Sequence, residues 1–180
     1  MNTELKKVRI KLVDDGKIDS DCEITNYKEA ILAAKKYICD CNREIICAIC
    51  MAGKRPVNFI VLSMGTVNYS LVPVGELIKT ALLTNATGVI LLHNHPSGNC
   101  YPSGEDISLT DKVVRACELC DLKLLDHIII PANSEFAFSF LEKNLVPINL
   151  NKYALTIDDI PLNKEIKNTD DVIIQRKRGR

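Results

Sequence analysis

The segment Val89-Ile90-Leu91-Leu92-His93-Asn94-His95-Pro96-Ser97-Gly98 joins a run of aliphatic residues directly to a loop rich in breakers. Val89–Leu92 is apolar at every position and reads as a strand covered on both faces. Breakers continue to Pro102, after which Ser103 is placed to cap a helix from about Gly104 to Cys120. Leu124–Ile130 (LLDHIII) is the next strand. Strand, helix and strand at this spacing are the unit of an α/β layer fold.

Working outward, Glu44–Met51 (EIICAICM) is another nearly continuous apolar run, rich in β-formers and read as a central strand buried on both faces. Gly53-Lys54-Arg55-Pro56 turns the chain into Val57–Ser63, its hairpin partner. Pro73 suits the first turn of a helix from about Val74 to Asn85, with Gly88 beyond its end. Asn26 and Glu29 form an N-cap and its box partner at the start of YKEAILAAKKYI, a helix. Before it, Val8–Val13 alternates apolar with basic residues as a half-buried strand does, and Asp14-Asp15-Gly16 supplies a turn. The pattern fades after about Pro147. The expected organisation is a strand–helix extension over 1–41, a core domain over 42–147 and a polar extension over 148–180 that ends Arg176-Lys177-Arg178-Gly179-Arg180.

The 180 residues carry 23 Lys plus Arg against 23 Asp plus Glu, so no overall positive field argues for a partner rich in phosphate. With 47% apolar and 26% charged residues the composition is that of a folded globular protein. No apolar run approaches the roughly 18 residues a membrane span needs, so no membrane partner is expected. The N-terminal MNTELKKVRIKLVDD lacks the apolar block of a signal peptide, which points to the cytoplasm. In that reducing compartment the eight cysteines read as free thiols, mostly buried as small apolar groups.

His93 and His95 stand at i and i+2 at a strand end, so both imidazoles project to one face. Asp106 lies in the first turn of the following helix. Two imidazoles and one carboxylate suit zinc, one ion per chain, with a fourth tetrahedral position left open. The competing reading is two incidental loop histidines and a Ser103-x-x-Asp106 box that does no more than cap a helix. The joint pattern, at a strand end where α/β sites collect, favours the metal.

His93-Asn94-His95-Pro96-Ser97-Gly98 followed by Pro102-Ser103-Gly104-Glu105-Asp106 resembles the RadC-like branch of the JAMM (MPN-type) metalloproteases. That family's motif is His-x-His, ten residues, then Asp, with a Ser three residues before the Asp and a Glu far upstream. Here 96–105 is the spacer, and the resemblance runs over about residues 42–140, including Gly65-Thr66 and Leu125-Asp126-His127-Ile128-Ile129. It implies a single JAMM/MPN-type α/β domain with a mixed central sheet flanked by helices. It also implies a zinc-dependent metallopeptidase acting on an amide or isopeptide bond of a protein or peptide. His93, His95 and Asp106 would hold the metal, Glu44 would serve as general base and Ser103 would donate to the oxyanion, with Glu76 the lesser candidate for the base. Taken on its residues alone, Glu44 reads first as a solvated position at a strand start. Two features depart from the pattern. Residues 1–41 are too short for the helix-hairpin-helix module of longer relatives, and Pro73-Val74-Gly75-Glu76 stands where relatives have Pro-Arg-Glu.

Other chemistries fit worse. A zinc deaminase needs His-x-Glu and Pro-Cys-x-x-Cys. This chain has His95 in the second position after His93 and Ala116 before Cys117-x-x-Cys120. Cys47 and Cys50 on a strand would face opposite sides, which argues against a zinc ribbon with Cys117 and Cys120. Gly-x-Ser-x-Gly is absent. A DNA-associated module without peptidase activity remains as the alternative function, with the basic end 176–180 as its only support. Cys100, in the loop between the ligands, is either an ordinary loop residue or a thiolate for the open metal position.

Overall fold

The computed structural model describes residues 23–38, 42–65, 72–132 and 136–146, together with Val13 and Gly16. The strand expected over 8–13 falls outside these apart from Val13, as does the whole extension over 148–180. By its internal contacts the chain divides into a unit over 1–148 and another over 149–180, and the described helices and strands all lie in the first.

Helix α1 spans Tyr27–Ile38. Asn26 Oδ1 accepts the amides of Lys28 and Glu29 at 3.0 and 3.1 Å, as an N-cap does. The Glu29 carboxylate turns one residue further back than the capping box requires, to the Thr25 amide and hydroxyl at 2.6 and 2.9 Å. Ala30, Ala34 and Ile38, four apart, form its buried face.

Strands β1 (Ile45–Ala52) and β2 (Arg55–Met64) form the expected hairpin. Helix α2 (Val74–Leu83) stops two residues short of Asn85, which adopts a positive φ of 53° just beyond the turn. Strand β3 covers Gly88–His95, α3 covers Gly104–Leu119 and β4 covers Lys123–Pro131. A two-residue strand β5, Phe138–Ser139, closes the sheet and has no counterpart in the sequence pattern. The order is β2-β1-β3-β4-β5. Among the described residues only β3 and β4 run parallel, so the sheet is mixed and the fold α/β. β1 and β3 are inner strands, and every residue of β3 is buried.

Gly88 shows why β3 starts where it does. A Cβ there would lie 2.9 Å from both the Lys123 carbonyl oxygen and Leu125 Cγ, so the close approach of β3 to β4 requires glycine.

Strand alternation sorts the core into two layers. Ile45, Cys47, Ile49, Met51, Ile90, Leu92, Ile128 and Ile130 pack with Ile24 and the apolar face of α1. The residues between them face α2 and α3, where Leu77, Ala81, Val113 and Cys117 are buried. Cys47 and Cys50 therefore point to opposite sides. Burial pushes the thiols of Cys50 and Cys117 up to about 11 and about 12, so both stay protonated and pack as small apolar groups. No helix among the described residues is long and apolar enough to cross a membrane.

Candidate metal centre

Strand β3 does not end at Leu92; it continues through His95, so His93 and His95 are strand residues with alternate neighbours in the core. The β1–β3 register pairs Ile46 with His93. Two residues further along this antiparallel pair, Glu44 stands opposite His95 on the same face. The chain then makes a turn in which the His95 carbonyl accepts the amides of Gly98 (3.1 Å) and Ala132 (2.9 Å). It returns to place Asp106 in the first turn of α3.

His93, His95 and Asp106 are buried and each offers a ligand atom within 4.8 Å of the others. His93 Nδ1 lies 2.8 Å and His95 Nε2 3.4 Å from the two Asp106 oxygens, and the imidazoles meet edge-on at 4.6 Å. The second nitrogen of His95 is held by the backbone. Nδ1 is 2.8 Å from the Asn99 carbonyl, which can only accept, so Nδ1 carries a proton and Nε2 is the nitrogen turned to Asp106 and available to a metal. Two imidazoles and a carboxylate, with one imidazole already oriented by a backbone acceptor, are a donor set that fits a divalent metal. Cys100, the candidate for the open position, is half-buried and lies outside this group of three.

Burial alone would push the Asp106 carboxyl up. Hydrogen bonding with His93, His95 and Ser103 outweighs it and holds the group well below the usual carboxylate range. The contact with Asp106 raises His95 against the opposing effect of burial. Asp106 is thus an anion at neutral pH, further favoured by its place at a helix N-terminus.

Ser103 caps α3 in a complete capping box. Its hydroxyl accepts the Asp106 amide at 3.1 Å and donates to Asp106 Oδ2 at 2.7 Å, and its own amide donates to the same oxygen at 2.7 Å. The two readings of Ser103-x-x-Asp106 are therefore not exclusive: the cap is what aims the carboxylate at the histidines. The hydroxyl has one proton, and here Asp106 receives it.

Glu44 and Ser103 line one groove with His95. Glu44 is half-buried, and its Oε2 is buried without a hydrogen-bond partner among the described residues. Glu76 is elsewhere, exposed on α2 and paired with Lys79 at 2.5 Å.

Two further sets of residues carry no signal in the sequence. Asn94, between the histidines, faces the other way and grips the chain on both sides of Glu44. Its Nδ2 donates to the Arg43 carbonyl at 2.9 Å, and its Oδ1 accepts the Ile45 amide at 2.5 Å. The Gly65 amide adds a third tie, to the Glu44 carbonyl at 3.0 Å. Behind the centre, Thr110 Oγ1 donates to the Asp106 carbonyl at 2.6 Å and lies 2.7 Å from His127 Nδ1. The hydroxyl proton being spent, His127 carries its own on Nδ1 and donates it to Thr110. Its Nε2 is buried with no partner among the described residues, and the ring stacks on Phe140 at 4.9 Å.

Residues 24–145 match the RadC-like JAB domain. The chain belongs to the RadC-like JAB domain family. Among its relatives, a UPF0758 protein of Thermotoga maritima is 33% identical over 141 residues, covering 77% of this chain and 57% of that protein. A UPF0758 protein of Marinomonas sp. is 45% identical over 92 residues, 51% of this chain and 40% of that one. A third, from Acinetobacter baumannii, is 38% identical over 105 residues, 58% and 44% of the two chains. The chain thus spans about half the length of the curated relatives it matches. The RadC-like JAB domain includes the histidines, Asp106, Glu44 and the Asn94 clamp.

Proposed function

We propose that this domain is a zinc-dependent peptidase that hydrolyses an amide or isopeptide bond of a protein or peptide. The observation that carries the reading is the convergence of His93, His95 and Asp106 on one point, with the half-buried Glu44 on the groove beside them. His93, His95 and Asp106 would hold the ion; the mixed nitrogen and oxygen donor set suits zinc. Bound zinc supplies a Lewis acid for the scissile carbonyl and makes water a stronger acid.

The chain's own residues do the rest. The Glu44 carboxylate, on the groove wall it shares with His95, takes the proton of the attacking water and returns it to the leaving amine. Asn94 holds the backbone that carries Glu44, so the base is presented at a set distance from the carbonyl. Ser103 supports the developing oxyanion when its hydroxyl turns its hydrogen bond from Asp106 Oδ2 to the substrate oxygen.

Glu44→Gln tests this, because Gln keeps size and polarity but cannot accept the proton. Zinc content should stay at about one per chain while cleavage of a mixed peptide pool, followed by mass spectrometry, falls roughly 10²–10⁴-fold. Unchanged turnover in the zinc-loaded variant removes Glu44 from the role.

A further inference from the structure

The groove beside the histidines has a volume of about 330 Å³, and its wall includes Glu44, His95, Tyr101, Pro102, Ser103 and Glu105. Two properties stand out. Among the described residues that line it, the acidic side chains are Glu44 and Glu105, and there is no lysine or arginine. The aromatic ring on its wall, Tyr101, is 69% exposed.

A lone exposed tyrosine is ordinary on a protein surface. This one is held in place. Its amide donates to Asn99 Oδ1 at 3.0 Å, and the Asn99 carbonyl is the acceptor that orients His95, at 2.8 Å. Behind it, the ring leans on Phe138 with centroids 6.3 Å apart, and Phe138 meets Phe140 edge-on at 5.3 Å. The Tyr101 backbone and the His95 imidazole are thus tied to the same residue, Asn99, and the exposed ring face with Pro102 forms an apolar wall on the groove. Ordering a side chain in advance lowers the entropic cost of binding against it.

We infer that Tyr101 is a specificity-determining residue and that the groove takes a peptide segment with a large apolar or aromatic side chain beside the scissile bond and no acidic residue there. This assignment rests on the peptidase reading. A ring face and a proline offer dispersion and stacking to an apolar side chain and nothing to a small or acidic one. Glu44 and Glu105 repel carboxylates, and the same two charges repel a nucleic-acid phosphate.

The test uses the zinc-loaded full chain on a proteome-derived peptide pool, with cleavage sites read by mass spectrometry. Matched Phe and Gly peptides then give kcat/KM. Wild type should enrich Phe, Tyr, Leu and Met beside the cut and deplete Asp and Glu. Tyr101→Ala should lose the Phe-over-Gly preference by roughly 10-fold or more, Tyr101→Phe should keep it, and Glu105→Gln should admit acidic residues. The same preference in Tyr101→Ala, or none in wild type, overturns the inference while leaving the peptidase reading intact. If wild type cuts nothing and matches Glu44→Gln, the peptidase reading fails and takes the inference with it.

Discussion

The two faces of the sheet are built from the same three strands, and only one of them carries the candidate metal centre. Toward α1, β1, β3 and β4 present Ile45, Cys47, Ile49, Met51, Ile90, Leu92, Ile128 and Ile130, all hydrocarbon or sulfur. Toward α3 they present His93, His95 and His127, met by Asp106 and Thr110. Period-two alternation lets one segment carry cohesion on one side and chemistry on the other. Each histidine of the candidate metal centre thereby has a core residue or the Asn94 clamp next to it in sequence, and its backbone is held by packing that does not depend on a metal.

The largest effect should come from the chemical face. Asp106→Ala should reduce zinc from about one per chain to a trace and abolish hydrolysis, as measured by elemental analysis and peptide cleavage. Losing the return arm of the capping box adds about 1 kcal/mol of destabilisation, and the far-ultraviolet circular dichroism should remain that of the folded domain. Collapse of the fold with the metal would break the comparison, because it would make the apolar face insufficient alone.

The opposite face should respond in the opposite way. Leu92 is fully buried on the α1 side and directly precedes His93 in the strand. Leu92→Ala should cost roughly 2–5 kcal/mol in urea unfolding, by lost transfer energy and a residual cavity. Zinc affinity below the transition should be unchanged. A matching loss of zinc affinity would show that the layers are coupled rather than separate.

Asn94 is the residue that crosses the division. It sits on the apolar side, yet its amide fixes the backbone of Glu44 on the chemical side. Asn94→Ala should keep zinc and lower kcat roughly 10–100-fold through misplacement of the base, with a smaller change in KM. Unchanged kcat would reduce the clamp to a structural hydrogen bond.

How far this was legible in the sequence depends on the range of the interactions. The hairpin, the three helices and the grouping of His93, His95 and Asp106 were readable because each depends on local pattern: caps, breakers, alternation and one fixed spacing. Even the end of α2 differs only by the two residues up to Asn85, where the chain leaves the helix in a left-handed conformation. What stayed hidden is non-local. The Asn94 clamp joins residues about fifty apart, and a lone Asn between two histidines carries no sign of it until the β1–β3 register is known. Strand β5 is two residues long and is held by the buried Asp126, whose oxygens accept the Ser139 hydroxyl at 2.6 Å and the Leu141 amide at 2.9 Å. Pattern reading has no handle on a strand specified that way. Ser103 was readable as a cap, and the structure shows its hydroxyl accepting the Asp106 amide and donating to the Asp106 carboxylate.

The smallest effect at neutral pH, and the finest test of the chemical face, belongs to His127. The ring is wholly buried, and burial, reinforced by the neighbouring His93, lowers its pKa from the ordinary 6.5 to about 3. It is neutral in the fold, donating from Nδ1 to Thr110 with Nε2 unpartnered. Unfolded, it regains its ordinary affinity for a proton, so between about pH 6.5 and pH 3 the unfolded state binds a proton that the native state refuses. Stability is therefore fully present above pH 6.5 and is lost as pH falls toward 3. One such group contributes up to about 1.4 kcal/mol per pH unit to the slope. His127→Phe keeps a ring on Phe140, removes the unpartnered nitrogen and cannot titrate. In chelator-treated protein, urea unfolding between pH 5 and 6 (a range inside the one set by His127) should show a shallower dependence for the variant by up to that amount. His93, His95 and Asp106 are common to both proteins, so their contributions largely cancel in the difference. Parallel slopes would mean that His127 takes up a proton in the folded state, and that the chemical face is less dry than the apolar one across the sheet.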